Sequence, residues 1–107
     1  MRIYISIPIS GHDKNTQMAK ASKIANAIAS LGHTPINPFI LGAMLPPTLT
    51  YADILGVDIS ALLKCDGIYM CKDWESSRGC HLEFEAAKIY GIPTYVRLDQ
   101  IPEYEPK

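Results

Sequence analysis

Glu83 and Asp58 are the residues whose type and placement point to chemistry in this chain. Glu83 falls one and a half turns into a helix that the sequence enters through Ser76, Ser77 and Gly79, after the short apolar run Gly67 to Cys71 and a polar loop. With the later strand Pro93 to Val96 this makes a βαβ unit within Cys65–Tyr95. In open parallel sheets a ligand sits beyond the carboxyl ends of the strands, where the unpaired N–H groups of the next helix receive an anion or a sugar oxygen. Glu83 is close enough to that helix start to face such a ligand. It shares a face with Gly79, Ala86 or Ala87, and Tyr90, whereas Glu85 and Lys88 fall on the other side. A carboxylate there either compensates the helix dipole or is functional.

Asp58 lies four residues from both Ile54 and Leu62, so it borders the apolar stripe of a helix that Thr50 can cap and that runs to Lys64. A half-buried carboxylate needs a partner; the other reading is an ordinary pairing or a solvated side chain. Trp74, the one tryptophan, lies in the loop Lys72-Asp73-Trp74-Glu75, where it either stacks on a base or sugar or packs on its own domain. Cys65, Cys71 and Cys80 are odd in number and lack the paired spacing of a zinc or redox motif, so they read as reduced thiols with no metal implied. Cys80 is near a helix N-terminus, which favours a thiolate, but His81 points to a different side of the helix and supplies no base. His33 reads as a polar residue at a helix end.

The elements that position these groups follow from periodicity. Arg2 to Ile7 alternates, with Ile3, Ile5 and Ile7 on one face and Tyr4 and Ser6 on the other, as in a strand covered on both sides. The loop from Pro8 through Ser10, Gly11 and His12 follows at its carboxyl end, the usual place for a phosphate or ribose, without a G-x-G-x-x-G dinucleotide fingerprint. Met18, Ala21, Ile24, Ala25, Ile28 and Leu31 recur at helical spacing between Asn15 and Leu31, with Asp13 or Asn15 as cap and Gly32 as stop. His33 to Pro38 is a short edge strand with two prolines. Phe39 to Leu49 reads as a turn of helix and a mobile loop broken by Pro46-Pro47, and its cluster Phe39, Ile40, Leu41, Met44 and Leu45 favours a subunit contact. Thr94 to Leu98 is the last strand, and Asp99 to Lys107 is a tail that packs on a partner or frays.

A chain of 107 residues with 48% hydrophobic and 20% charged residues can bury a single core, which predicts one domain over residues 1–107. Its net charge of −1 and lack of a Lys/Arg run argue against a partner such as duplex nucleic acid and leave a small molecule as the natural ligand. No apolar run approaches the ~20 residues of a membrane span and no leader pattern is visible, so a cytoplasmic protein is expected.

The segments IYISIPISG, GHTPINPF, DISALLKCDGIYM and DWESSRGCHLEFEAAKIYGIP together resemble the nucleoside 2-deoxyribosyltransferase superfamily over nearly the whole chain, nearest a branch of short bacterial and phage proteins. The most specific part is Ser-x-Gly-x-x-x-Glu at Ser77, Gly79 and Glu83, preceded by Asp58 and Asp66. The resemblance implies that Glu83 is a nucleophile attacking C1′ of a deoxyribose. It implies that Asp58 positions substrate and assists proton transfer, and that Tyr4 holds the glutamate. Ser77 matches the serine that contacts a 5′-phosphate in deoxynucleoside 5′-monophosphate N-glycosidases, where transferases for free nucleosides carry aspartate. Pro8 and Ser10 stand where those hydrolases have a serine and an arginine for phosphate, which leaves Arg78 or a neighbour to supply the charge. The chain also lacks the carboxyl-terminal segment with which some transferases complete a neighbour's pocket.

The expectation is therefore a flavodoxin-like or Rossmann-like α/β fold with a parallel sheet of at least four strands, order 2-1-3-4, and helices on both faces. The expected function is cleavage or transfer of an N-glycosidic bond of a deoxynucleoside or its 5′-monophosphate, without a cofactor, in a homodimer or larger assembly. The substrate-binding set is Pro8, Ser10, Gly11, Trp74, Ser76, Ser77, Arg78 and Gly79 beside the catalytic Glu83, Asp58 and Tyr4. The rival is a nucleotide-binding or sensing module on the same fold with no turnover, and a third reading is a pure interaction protein.

Overall fold

The computed structural model describes residues 1–104. Four strands, β1 (Arg2–Ser6), β2 (Thr34–Ile36), β3 (Gly67–Met70) and β4 (Thr94–Tyr95), form an all-parallel sheet in the order β2-β1-β3-β4. This is the expected α/β architecture and strand order. The crossovers carry α1 (Lys14–Ser30), α2 (Pro38–Ala43), α3 (Tyr51–Leu62) and α4 (Arg78–Ile89).

The alternation in β1 divides the core in two. Ile3, Ile5 and Ile7 pack on one face of the sheet with Ala21 and Ile28 of α1, while Tyr4 packs on the other with Leu62 of α3 and Cys80 and Ala87 of α4. Each fully buried Ile contributes about 2 kcal/mol of transfer free energy. Register then follows from burial, because a slip of one residue would exchange the Ile face for the Tyr4–Ser6 face. Tyr4 lies beside Ile36 of β2 and Ile68 of β3, and Ser6 beside Met70.

Local signals set the ends of the helices. Asp13 caps α1 by accepting from the Thr16 N–H, and Gly32 follows its end at φ 89°. Thr50 and Asp53 form a reciprocal capping box at the start of α3. At Gly67 a Cβ would lie 2.9 Å from the Tyr95 ring and 3.0 Å from Ile3 Cδ1, so any other residue there requires one of those side chains to shift.

Several sequence-based boundaries shift. β4 ends at Tyr95, and Leu98–Gln100 forms a 3₁₀ turn instead of continuing the strand. Met18 is exposed, and the buried position on that turn of α1 is Gln17, whose Nε2 donates to the Pro8 carbonyl at 2.6 Å. The tail packs on its own domain as far as residue 104: Ile101 joins the α1 core, and the Tyr104 N–H donates to the Leu31 carbonyl at 2.8 Å. The rest of the expected tail, 105–107, lies outside the described residues. His33 is buried, with Nδ1 3.2 Å from the amino terminus and Nε2 against the Pro102 carbonyl, which ties the tail to the start of β1. Among the described residues no helix is long and apolar enough to cross a membrane.

Candidate active site

Tyr4 and Ser6 are two apart on β1, so both side chains project from the same face of the sheet. α4 crosses that face, and its second turn brings Glu83 down onto them. The Tyr4 hydroxyl donates to Glu83 Oε2 at 2.6 Å, and the Ser6 hydroxyl donates to Oε1 at 2.7 Å. Both carboxyl oxygens are thus held by short hydrogen bonds, with Glu83 only 6% exposed. Burial pushes its pKa up to about 7; the two hydroxyl donors oppose the rise and the nearby charge of Asp58 adds to it. The Tyr4 hydroxyl is driven far above the usual phenol range, first by burial and then by the charge of Glu83, so it stays a donor.

Asp58 reaches the same place from α3, buried beside the helix stripe as its spacing implied. Burial pushes its pKa up to about 6. Glu83, Asp58 and Tyr4 share the wall of one cavity of about 620 Å³. Ser10 comes to this cavity from the loop after β1, and Ser76, Ser77, Arg78 and Gly79 from the entry to α4. Ser77 is the N-cap of α4, its hydroxyl accepting from the Cys80 N–H at 3.3 Å. Gly79 faces α3 across the cavity entry, where a Cβ would make ordinary contacts with Tyr51 Oη at 3.7 Å and Leu55 at 3.9 Å.

Three residues of the expected binding set stand away from the cavity wall. Trp74 packs on its own domain, its ring centroid 4.8 Å from Phe84 and 5.1 Å from His81. Pro8 is fully buried behind the loop, where its carbonyl accepts from Gln17. Gly11 supplies an exposed left-handed turn at φ 79°. His81 points away as expected, its Nε2 2.6 Å from the Glu75 carbonyl. The thiolate tendency of Cys80 is overturned by burial, which pushes its thiol upward despite the helix start, and Cys71 is pushed up to about 12 by the same cause.

Cys80 also lines the wall, and the rest of it comes from residues that carry no chemical signature in sequence: Ile7, Ile9, Pro38, Tyr51, Ile54 and Leu55. Ser6 was visible only as the neighbour of Tyr4 on the alternating strand; its bond to Glu83 depends on where α4 lands. The described residues contain no cluster of three or more His, Cys, Asp or Glu side chains able to hold a metal.

Residues 1–96 match the family model described as a domain of unknown function, DUF4406. The chain belongs to the DUF4406 family. No curated protein matches this DUF4406 chain. Among solved structures it is similar to a 2-deoxyribosyltransferase from the psychrotolerant bacterium Bacillus psychrosaccharolyticus, with a TM-score of 0.73, 15% sequence identity, 98% of this chain covered and 93% of that one. At that identity the likeness defines the fold of the DUF4406 domain, an α/β fold shared with that enzyme.

Proposed function

We propose that this DUF4406 domain cleaves or transfers the N-glycosidic bond of a deoxynucleoside or its 5′-monophosphate, with Glu83 as the nucleophile. The observation that carries the reading is the Glu83 carboxyl group, clamped by Tyr4 at 2.6 Å and Ser6 at 2.7 Å beside Asp58 on one cavity wall. A structural carboxylate would sit in the core or at a surface ion pair; this one is held rigidly and still reaches an open cavity. The fold shared with a 2-deoxyribosyltransferase supports the same reading.

In the first step a Glu83 oxygen bonds to C1′ as the bond from C1′ to the base nitrogen breaks, and that electron pair leaves with the base. The transition state has oxocarbenium character, which a carboxylate under C1′ stabilises. Asp58, its proton affinity raised by burial, gives a proton to the departing base. Water, or the nitrogen of a second base, then attacks C1′ of the ester as the C1′–Glu83 bond breaks, its proton returning to the Asp58 carboxylate, and Glu83 is freed. Tyr4 and Ser6 hold the carboxyl group throughout. Tyr51, Ile54 and Leu55 offer the apolar surface that a base needs, and Ser10, Ser76, Ser77 and Arg78, with the start of α4, receive the sugar 5′ end. No cofactor takes part in these steps.

One observation favours the rival reading. A Glu83 raised to about 7 is about half protonated at pH 7, and its protonated form donates a hydrogen bond instead of attacking carbon, which suits a nucleotide-binding or sensing module. The test is release of free base, by chromatography, from deoxy- and ribonucleosides and their 5′-monophosphates, with and without an acceptor base. Release by wild type that vanishes in Glu83→Gln supports the enzyme. Binding without release, unchanged by Glu83→Gln, moves the assignment to the sensing module.

A further inference from the structure

We infer that Gln17 is a positioning residue for substrate binding, acting from the far side of the sheet through the loop that brings Ser10 to the cavity. This rests on the proposed reaction, in which Ser10 helps to receive the sugar 5′ end. Gln17 is only 4% exposed and shares the buried stripe of α1 with Ala21 and Ile28. α1 packs on the Ile3, Ile5 and Ile7 face, opposite the face on which Tyr4 meets α3 and α4. An amide on such a stripe is costly unless its hydrogen bonds are made, and a methionine or leucine would fill the position without that cost.

The bond that Gln17 makes falls at a junction of the cavity wall. Sheet pairing ends where the Cys71 N–H donates to the Ser6 carbonyl at 2.9 Å, and the turn of the loop begins where the His12 N–H donates to the Ile9 carbonyl at 3.2 Å. Between these two ties, Gln17 Nε2 donates to the Pro8 carbonyl at 2.6 Å. Ile7, Ile9 and Ser10 are what this segment gives to the cavity, and all three lie within two positions of that carbonyl. Pro8 brings no N–H of its own, so its carbonyl is the group by which its peptide can be held. A buried carbonyl deprived of its donor turns toward water, and Ile9 and Ser10 move with it. Glu83 is insulated from that movement, because Tyr4 and Ser6, which hold it, stand within the paired strand β1. Gln17 therefore sets the affinity for the sugar and leaves the reacting carboxyl group in place.

The experiment is kcat and KM for base release from the deoxynucleosides and their 5′-monophosphates, for wild type, Gln17→Met, Ser10→Ala and the double variant. Methionine matches glutamine in length and helix preference but has no donor; Gln17→Leu replaces it should Gln17→Met fail to fold. Gln17→Met is expected to raise KM roughly tenfold, about one hydrogen bond to substrate, with kcat unchanged. Ser10→Ala is expected to do the same, and the double variant no more than either alone, because both remove one contact. Ile28→Val thins the packing of α1 away from the loop, so it is expected to lower the urea midpoint and leave KM unchanged. If wild type releases no base, dissociation constants for the same compounds, measured by calorimetry, take the place of KM, so this inference is decided even where the enzyme reading fails. Equal affinities in wild type and Gln17→Met, a fall in kcat at constant KM, or additive effects in the double variant would each overturn the proposal. So would a wild type that binds none of these compounds.

Discussion

Replacing Glu83 by Gln removes a charge that the fold resists, and the consequence is readable as stability against pH. Glu83 ionises at about 7 in the folded protein, against an ordinary value of 4.5. Between those values the native state keeps a proton that the unfolded chain has released. Stability from this group is therefore full below about 4.5 and is lost as pH rises through about 7, the reverse of a carboxylate held in an ion pair. At 1.36 kcal/mol per pH unit the gap is worth about 3 kcal/mol. For a domain near this size, 1 kcal/mol moves Tm by roughly 4 °C, so wild type should lose about 10 °C relative to Glu83→Gln between pH 4.5 and pH 8. The amide is isosteric, and the Tyr4 and Ser6 hydroxyls can donate to its oxygen and accept from its nitrogen. Asp58, also pushed upward by burial, adds a smaller slope of the same sign that persists in the variant. The assay is thermal and urea unfolding of both proteins by circular dichroism across pH 4.5 to 8. A difference between the two proteins that stays constant from pH 4.5 to pH 8, or a wild type that gains on the variant as pH rises, would refute a buried Glu83 held against ionisation.

Tyr4→Phe and Ser6→Ala each remove one donor from the Glu83 carboxyl group; each should destabilise by about 1–3 kcal/mol and move the acid limb of any base-release profile upward, measured by urea unfolding and by kcat/KM against pH. Asp58→Asn takes away a neighbouring charge that raises the Glu83 pKa, so the pH at which Glu83 ionises should fall below about 7, read by ¹³C chemical shift of the labelled carboxyl carbon. Gly67→Ala places a Cβ 2.9 Å from the Tyr95 ring and 3.0 Å from Ile3; overpacking of this kind costs about 1–3 kcal/mol, and an unchanged urea midpoint would show that β4 yields without strain.

The parts of this molecule that were legible in the sequence are those with a short period. The alternation of β1, the stripes of α1 and α3 and the glycine stops gave the elements, and the strand order came with the flavodoxin-like pattern that the family resemblance implied. Glu83 and Asp58 were legible because a carboxylate beside an apolar stripe is costly unless it has a role or a partner. Trp74 misled because an indole carries the same sequence signal whether it faces a ligand or, as here, Phe84 and His81. Ile54, Leu55 and Pro38 could not be found that way: an apolar side chain lining a cavity and one filling a core have the same type and spacing. Gln17 displaced Met18 from the buried face because the Pro8 carbonyl, turned inward by the loop, needed a donor.

Under the proposed reaction the buried carboxyl group connects stability to catalysis through one free energy. Ionising Glu83 in the empty cavity is opposed by burial, and its two hydroxyl donors offset that only in part. A neutral nucleoside in the cavity would displace water and raise the opposition further. The charge becomes favourable only when positive charge develops at C1′ within a few ångströms, where the same low dielectric that disfavoured the lone anion strengthens the ion pair. The fold then binds the transition state better than the ground state by withholding solvation from Glu83 until the reaction supplies a counter-charge. The two clamps are indispensable to this scheme, since a carboxyl group free to rotate would turn to the mouth and find water. On this argument Ser6→Ala should lower kcat by a larger factor than it raises KM, because the geometry it protects matters most when the bond to C1′ is forming. A variant that raised KM alone would show that Ser6 serves binding and that the carboxyl group needs no second clamp.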